Sequence, residues 1–330
     1  MTVHRPTIAD VARRAGVSRA TVSRVLNGHA SVDPDLASRV RMAADRLGYR
    51  PNPTALGLAR GVTGVFGVIV PDLANPFFPE LLKAIEAAAA TADCRMIVAD
   101  SDEDAAQEVR LAEDLCRRCD GLILCSPRMS TARLRRLLAD RTPIVLANRV
   151  EDHLGIPAAA IAIERVVDEV VAHLVELGHR RICYLAGPAN SWSNATREAA
   201  FRTATRARKL RSLVIRAGSS TEDGYEAASA LPESSVTAIV AFNDLVAFGA
   251  LERYLEAGRN APTDISLVGF DDIPAARFAA PPLTTVRFPK AELGQIAWQL
   301  LKERLDGRPA VVRWVEPTFV ARGSTAPPPA

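Results

Sequence analysis

From Val62 onward, short apolar runs alternate with longer segments of helical periodicity, and this alternation restricts the fold more than any other feature of the chain. Strands are expected over residues 65–70, 95–99, 121–125, 143–147, 181–186, 212–216, 237–241 and 265–270. Helices fill the intervals over 79–92, 103–118, 165–177, 194–206, 244–257 and 290–305, with Gly178 stopping the third. Strand–helix alternation of this kind makes parallel sheets covered by helices. The strands are too many for one compact nucleotide-binding unit, so two similar doubly wound α/β lobes are expected.

The first sixty residues read differently. Thr7 followed by Asp10 is a helix cap with its carboxylate partner, and Ile8, Val11, Ala12 and Ala15 share one helical face until Gly16. Ser18 caps a second helix in which Val22, Val25 and Leu26 face inward while Arg19, Ala20, Ser23 and Arg24 point away. A third helix opens at Asp33-Pro34 and runs through Leu36, Val40, Ala43, Ala44 and Leu47 to Gly48. Three short helices around one small core form a helix-turn-helix layout.

Charge separates these two regions. The chain carries a net +3, yet residues 1–61 hold ten Arg against four Asp, a local +6, which leaves the remainder at −3. A basic head on a mildly acidic body points to a polyanionic partner for the head alone. Arg can donate two hydrogen bonds to guanine O6 and N7, and Ala20 can offer a thymine methyl only apolar contact, so Arg19, Ala20 and Arg24 are candidate base contacts. Thr7, Ser18, Thr21, Ser23, Asn27, Tyr49 and Asn52 are candidate phosphate contacts, which hold register without reading sequence.

The run T-I-A-D-V-A-R-R-A-G-V-S-R-A-T-V-S-R-V-L-N-G, with Y-R-P-N-P-T-A-L-G-L after it, resembles the lactose-repressor (LacI/GalR) family of bacterial regulators. The resemblance implies that Arg19, Ala20 and Arg24 read base edges in the major groove. It also implies a hinge helix after Asn52, with Ala55 and Leu58 meeting the minor groove and Leu58 wedging into a base step. The segments V-P-D-L-A-N-P-F-F, L-V-E-L-G-H-R-R-I, A-F-N-D-L-V-A-F-G-A-L, G-F-D-D-I and P-P-L-T-T-V resemble the family's effector domain, a relative of periplasmic sugar-binding proteins. That likeness implies lobe crossings near residues 162, 289 and 318 and an effector gripped by Phe77, Phe78, Asn148, Arg197, Asn243, Asp271 and Phe288. The chain departs from the family pattern at Ala162-Ile163, Ser219, Asn148 and Phe288, which makes one side of the cleft less polar.

The resulting expectation is a helix-turn-helix domain over 1–50, a hinge over 51–61 and a two-lobed body over 62–330, with a disordered Pro-rich tail at 323–330. The expected activity is that of a sequence-specific transcriptional repressor. It would act as a homodimer on a near-palindromic operator, with affinity set by a sugar or related metabolite bound between the lobes. The alternative is a solute-binding module without a DNA role. Catalysis is not expected, because no phosphate loop, zincin helix or nucleophile elbow occurs in the chain. Neither a cofactor nor a metal is expected. Five cysteines in apolar segments suit reduced core thiols, including the C-x-x-C of Cys116 and Cys119, while His173 and His179 lack a third ligand. No apolar run approaches a membrane span and no apolar segment follows the N-terminal residues, so a cytoplasmic location is expected.

Overall fold

In the computed structural model, the first helix opens on a reciprocal pair of hydrogen bonds. Thr7 Oγ1 accepts from the Asp10 amide at 3.4 Å and the Asp10 carboxylate accepts from the Thr7 amide at 3.0 Å. The described residues are 6–26, 32–49, 63–140, 142–232 and 236–329, and the chain divides into two compact units, 1–63 and 64–330. Asn27, Asn52, Ala55 and Leu58 lie outside the described residues.

The first unit contains α1 (Ile8–Ala15), α2 (Arg19–Leu26) and α3 (Pro34–Leu47). Gly16 ends α1 at φ 66°, a left-handed conformation that favours glycine, and its amide bonds back to Ala12. Ser18 Oγ accepts from the Thr21 amide at 3.1 Å, and Asp33 accepts from the Asp35 and Leu36 amides at the start of α3. Val11, Ala12, Ala15, Val22, Val25, Val40, Ala43 and Ala44 form the shared core. A hydrogen bond from Arg39 Nη2 to Ala15 O, 2.7 Å, ties α3 to the end of α1.

The second unit holds two parallel sheets. The first consists of β1 (Val65–Val70), β2 (Arg95–Asp100), β3 (Gly121–Cys125), β4 (Ile144–Ala147), β5 (Ala158–Ile161) and β11 (Val312–Val315), in the order β11-β5-β4-β3-β1-β2. Helices α4 (Phe77–Ala90), α5 (Ala105–Arg118), α6 (Thr131–Leu137) and α12 (Lys290–Leu305) belong to this lobe, with α4 packed on α12. The second sheet consists of β6 (Arg181–Ala186), β7 (Arg211–Arg216), β8 (Ala238–Ala241) and β9 (Ser266–Val268), in the order β7-β6-β8-β9. Its helices are α7 (Ile163–Glu176), α8 (Trp192–Ala207), α9 (Thr221–Ser229), α10 (Asp244–Glu256) and α11 (Pro274–Phe278). β10 (Thr285–Arg287) and β12 (Thr318–Val320) pair as an antiparallel ribbon. The inner strands β3, β4 and β8 are buried along their whole length, because helices cover both faces of a parallel sheet.

The chain leaves the first sheet after β5 and enters α7 at Ala162, returns between β10 and α12 at Phe288-Pro289, and passes from β11 to β12 at Glu316-Pro317. One apolar core, which includes Phe66, Phe77, Phe270, Phe288 and Trp298, runs through both lobes.

The tail at 323–330 departs from expectation. Residues 323–329 are placed against the second lobe, and Ser324 is 1% exposed. Proline content suggested disorder, but hydrogen bonding to an open strand edge overrides it. The Leu267 amide donates to Ser324 O at 2.8 Å, and Ser324 Oγ donates to Leu267 O at 2.6 Å, so the tail satisfies the outer groups of β9. His173 and His179 bond Thr325 Oγ1 and Ala326 O, both within 3.0 Å.

Helices α9 and α10 cross at two glycines. A Cβ at Gly249 would lie 1.8 Å from Thr221 O, and one at Gly224 would lie 2.2 Å from Val246 O. Neither backbone oxygen can swing aside as a side chain would. Gly249→Ala is therefore expected to force these helices apart and destabilise the second lobe by roughly 1–3 kcal/mol, read as a lower urea midpoint.

Candidate functional site

Ligands of parallel α/β sheets bind beyond the carboxyl ends of the strands. Here the strands of both lobes end at one narrow cleft lined by polar and aromatic side chains. Phe77 and Phe78 follow β1, Glu103 follows β2, Ser126 and Arg128 follow β3, and Asn148 follows β4. From the other lobe, Ser191, Ser193 and Arg197 follow β6, Ser219 follows β7, Phe242 and Asn243 follow β8, and Asp271 follows β9. Glu103, Ser126, Asn148 and Asp271 have φ of 56°, 46°, 59° and 106°. Backbone conformations that non-glycine residues rarely adopt thus gather at the cleft, where the surrounding packing must hold them.

Arg197 is fully buried, with its guanidinium carbon 4.8 Å from the ring centre of Phe242 and 5.0 Å from those of Phe270 and Phe288. It donates to Phe242 O and lies 3.9 Å from Asp271. Burial pushes the Asp271 carboxyl up to about 6, against the opposing pull of Arg197, Lys290 and a hydrogen bond from Asn75. Burial, followed by the Asp271 charge, also raises Asp244, which accepts from Thr285 Oγ1 at 2.6 Å and from the Ile273 amide at 2.8 Å. Asn148 Nδ2 donates to Ser126 Oγ at 2.9 Å, and Asn243 caps α10 while donating to Ser219 O at 2.8 Å.

Six of the seven expected effector residues line the cleft: Phe77, Phe78, Asn148, Arg197, Asn243 and Asp271. Phe288 lies outside the lining; at 2% exposure it packs behind, against Arg197 and 6.1 Å from the Phe77 ring. Sequence reasoning missed Asn75, Glu103, Ser126, Arg128, Ser191, Ser193 and Phe242. The strand-end rule alone pointed to Ser126 and Phe242, which immediately follow strands β3 and β8. Arg128 and Glu103 sit farther along their loops and carried no motif.

In the head, Arg19, Ala20 and Arg24 are exposed on one side of α2, opposite the buried Val22 and Val25. Thr21 and Ser23 are half-buried. Thr7 and Ser18 are exposed and already engaged in caps, which leaves their hydroxyls at helix N-termini, where oriented amides favour anions. Tyr49 is half-buried against the head core. Of the other titratable groups singled out in the sequence, His173, Cys94 and Cys116 are half-buried and His179, Cys119, Cys125 and Cys183 are buried. His179 is 1% exposed between Thr237 Oγ1 and Ser266 Oγ, and burial pushes the thiols of Cys119 and Cys125 up to about 11 and 12. Among the described residues, no cluster of His, Cys, Asp and Glu has the makings of a metal site, and no helix is long and apolar enough to cross a membrane.

A helix-turn-helix head joined to a two-lobed body with a ligand cleft defines a DNA-binding transcriptional regulator. Residues 7–52 match the bacterial regulatory proteins of the lacI family, and residues 171–325 match the periplasmic binding protein-like domain. The regulator GalS of Salmonella typhimurium is 36% identical over 330 residues, covering 97% of this chain and 96% of its own. Catabolite control protein A of Priestia megaterium is 33% identical, covering 91% and 92%. The Lac repressor dimer bound to operator and the anti-inducer ONPF superposes with a TM-score of 0.87 at 28% identity, covering 98% and 100%. A LacI family regulator from Enterococcus faecium with bound ribose gives 0.72 at 30% identity, covering 80% and 99%. The chain belongs to the LacI family of bacterial transcriptional regulators. The match at residues 7–52 sets aside the reading as a solute-binding module without a DNA role.

Because the folded-state pKa of Asp271 is raised above that of the unfolded chain, its ionised form is the costly one. Its contribution to stability is full below about pH 3.9 and is lost as pH rises through about 6. Asp271→Asn has no such titration, so the stability of wild type relative to this variant is expected to fall between about pH 4 and about 6.5 in urea melts. An unchanged difference would place the titration elsewhere.

Proposed function

We propose that the protein is a repressor that binds a near-palindromic operator as a homodimer and changes its operator affinity when a sugar occupies the cleft. The observation that carries the DNA half is the face of α2, where Arg19, Ala20 and Arg24 are solvent-exposed on a helix fixed from behind by Val22 and Val25. On the operator, Arg19 and Arg24 donate to guanine edges, Ala20 packs on a thymine methyl, and Thr7, Ser18, Thr21, Ser23, Asn27, Tyr49 and Asn52 hold phosphates. The segment carrying Ala55 and Leu58 folds in the minor groove, with Leu58 as the wedge. The Lac repressor structure, a dimer on its operator, supports the arrangement.

The sugar half rests on the cleft, where flat aromatic faces of Phe77, Phe78 and Phe242 meet planar polar groups from Asn148, Arg197 and Asp271. Apolar rings suit the C–H face of a sugar, and forked donors and acceptors suit its adjacent hydroxyls. Related regulators have been solved with cellobiose and with ribose. Occupation of the cleft changes the relation of the lobes and, through it, the DNA-competent population.

Selection of bound fragments from random DNA, repeated with a panel of free sugars, tests both halves; recovery of no common motif would overturn the DNA half. Arg24→Ala is expected to lose roughly 1–3 kcal/mol of operator affinity and to relax specificity at one base pair per half-site. Fluorescence anisotropy over single-base operator variants measures this, and an equal loss on every sequence would make Arg24 a phosphate contact.

A further inference from the structure

Four charged side chains line the cleft: Arg197 and Asp271 on one wall, Arg128 and Glu103 on the other. The second pair is unusual in its depth and its completeness. Arg128 is 3% exposed at the side chain and grips Glu103 through two bonds, Nε to Oε2 at 2.5 Å and Nη2 to Oε1 at 2.9 Å. Its remaining nitrogen, Nη1, donates to Ser126 O at 2.7 Å and reaches Ser191 Oγ of the other lobe at 3.4 Å.

The loop that carries Arg128 is fixed from two sides. The buried carboxylate of Glu108 accepts from the Arg128 amide at 3.0 Å and from the Met129 amide at 2.6 Å. Arg149 donates to Pro127 O at 2.9 Å and to Met129 O at 2.6 Å. The guanidinium is therefore held in place by groups other than Glu103, and would remain in the cleft wall without it.

Glu103 is the accessible member of the pair, with a side chain 26% exposed, and it also accepts from Ser219 Oγ of the other lobe at 3.2 Å. Asp72, Asp100 and Asp102 lie near it at the ends of β1 and β2, and their mutual repulsion with Glu103 contributes, after burial, to raising Asp72. These carboxylates add to the negative potential around Glu103, which disfavours an anion beside it. In the cleft, both guanidinium groups already have carboxylates, and Lys290 beneath Asp271 is paired with Glu80 at 3.0 Å.

We propose that Glu103, by occupying the fork of Arg128, is the specificity-determining residue that restricts the cleft to neutral polyhydroxylated ligands and excludes sugar phosphates and sugar acids. A phosphate group would have to displace Glu103 from the Arg128 fork, leaving a carboxylate beside the incoming anion. A neutral sugar needs only hydroxyl hydrogen bonds, which the paired carboxylates and guanidinium edges supply without loss of charge balance. This inference rests on the reading of the cleft as a sugar site, but the charge selection can be tested apart from it.

The test uses the full-length wild type, Glu103→Gln and the double variant Glu103→Gln/Arg128→Gln, each titrated calorimetrically with inorganic phosphate and with a panel of free pentoses and hexoses and their phosphates. The glutamine keeps the shape of Glu103 and one acceptor for Arg128, and circular dichroism confirms that each variant is folded. Wild type is expected to ignore inorganic phosphate and to prefer a free sugar to its phosphate. Glu103→Gln should gain about tenfold or more in affinity for inorganic phosphate, the scale of one charge-assisted hydrogen bond, and the double variant should lose that gain. Wild type binding a sugar phosphate as tightly as the free sugar would overturn the proposal, as would a Glu103→Gln variant that stays indifferent to phosphate. Should no free sugar bind while Glu103→Gln still acquires phosphate binding that the double variant lacks, the sugar reading falls and the charge selection by Glu103 stands.

Discussion

The site depends on a positive charge that is almost wholly withdrawn from water at the wall of the cleft. Arg197 lies among the rings of Phe242, Phe270 and Phe288, donates to a backbone carbonyl and faces Asp271. A guanidinium can occupy such a place because it is weakly hydrated, planar and stacks on aromatic faces, whereas an ammonium would need its water shell. Burial lowers the proton affinity of Arg197 and raises that of Asp271, and the attraction between the two opposes both shifts. Phe288 belongs to the crossing between β10 and α12, and the charge therefore also fixes where the chain passes from one lobe to the other.

Around that centre the two lobes use the same construction. Each sheet directs its strand ends at the cleft, and loops that follow present a polar side chain from a backbone at positive φ at Glu103, Ser126, Asn148 and Asp271. Among the described residues, several hydrogen bonds between the lobes are long, Ser193 Oγ to Asn148 O at 3.3 Å, Ser219 Oγ to Glu103 at 3.2 Å and Arg128 to Ser191 at 3.4 Å, beside a shorter one from Lys290 Nζ to Asp271 O at 3.0 Å. The longer contacts let the lobes adjust to an occupant at small cost, while Lys290 and the apolar core through Phe77 and Phe288 keep them registered.

Much of this was legible in the residues. The caps at Thr7, Ser18 and Asp33 and the glycine stops at 16 and 48 are local chemistry, so the head's helices could be read directly. The long strands β1, β3 and β6 were equally plain, being continuous apolar runs between polar breaks. Strands β5, β10, β11 and β12 were not, because each has only three or four residues and is stabilised by partners far along the chain, as where Val312 pairs with Ala158. The Arg128–Glu103 pair escaped notice for the same reason. Twenty-five positions separate the two residues, and only the adjacency of β1, β2 and β3 brings their loops together. The tail was misread because proline frequency describes how a segment behaves alone, and this one has an unfilled strand edge to bind.

That tail gives the last strand of the second sheet an ending the rest of the sheet lacks. β9 spans three residues; Thr284 bridges Val268 on its outer side, and without the tail the Leu267 amide and carbonyl there would be left to any extended peptide. With Ser324 seated there, and the imidazoles of His173 and His179 securing the next two residues, the polypeptide uses its own terminus as a bolt across that rim. Strand exchange between molecules is thereby blocked along this border.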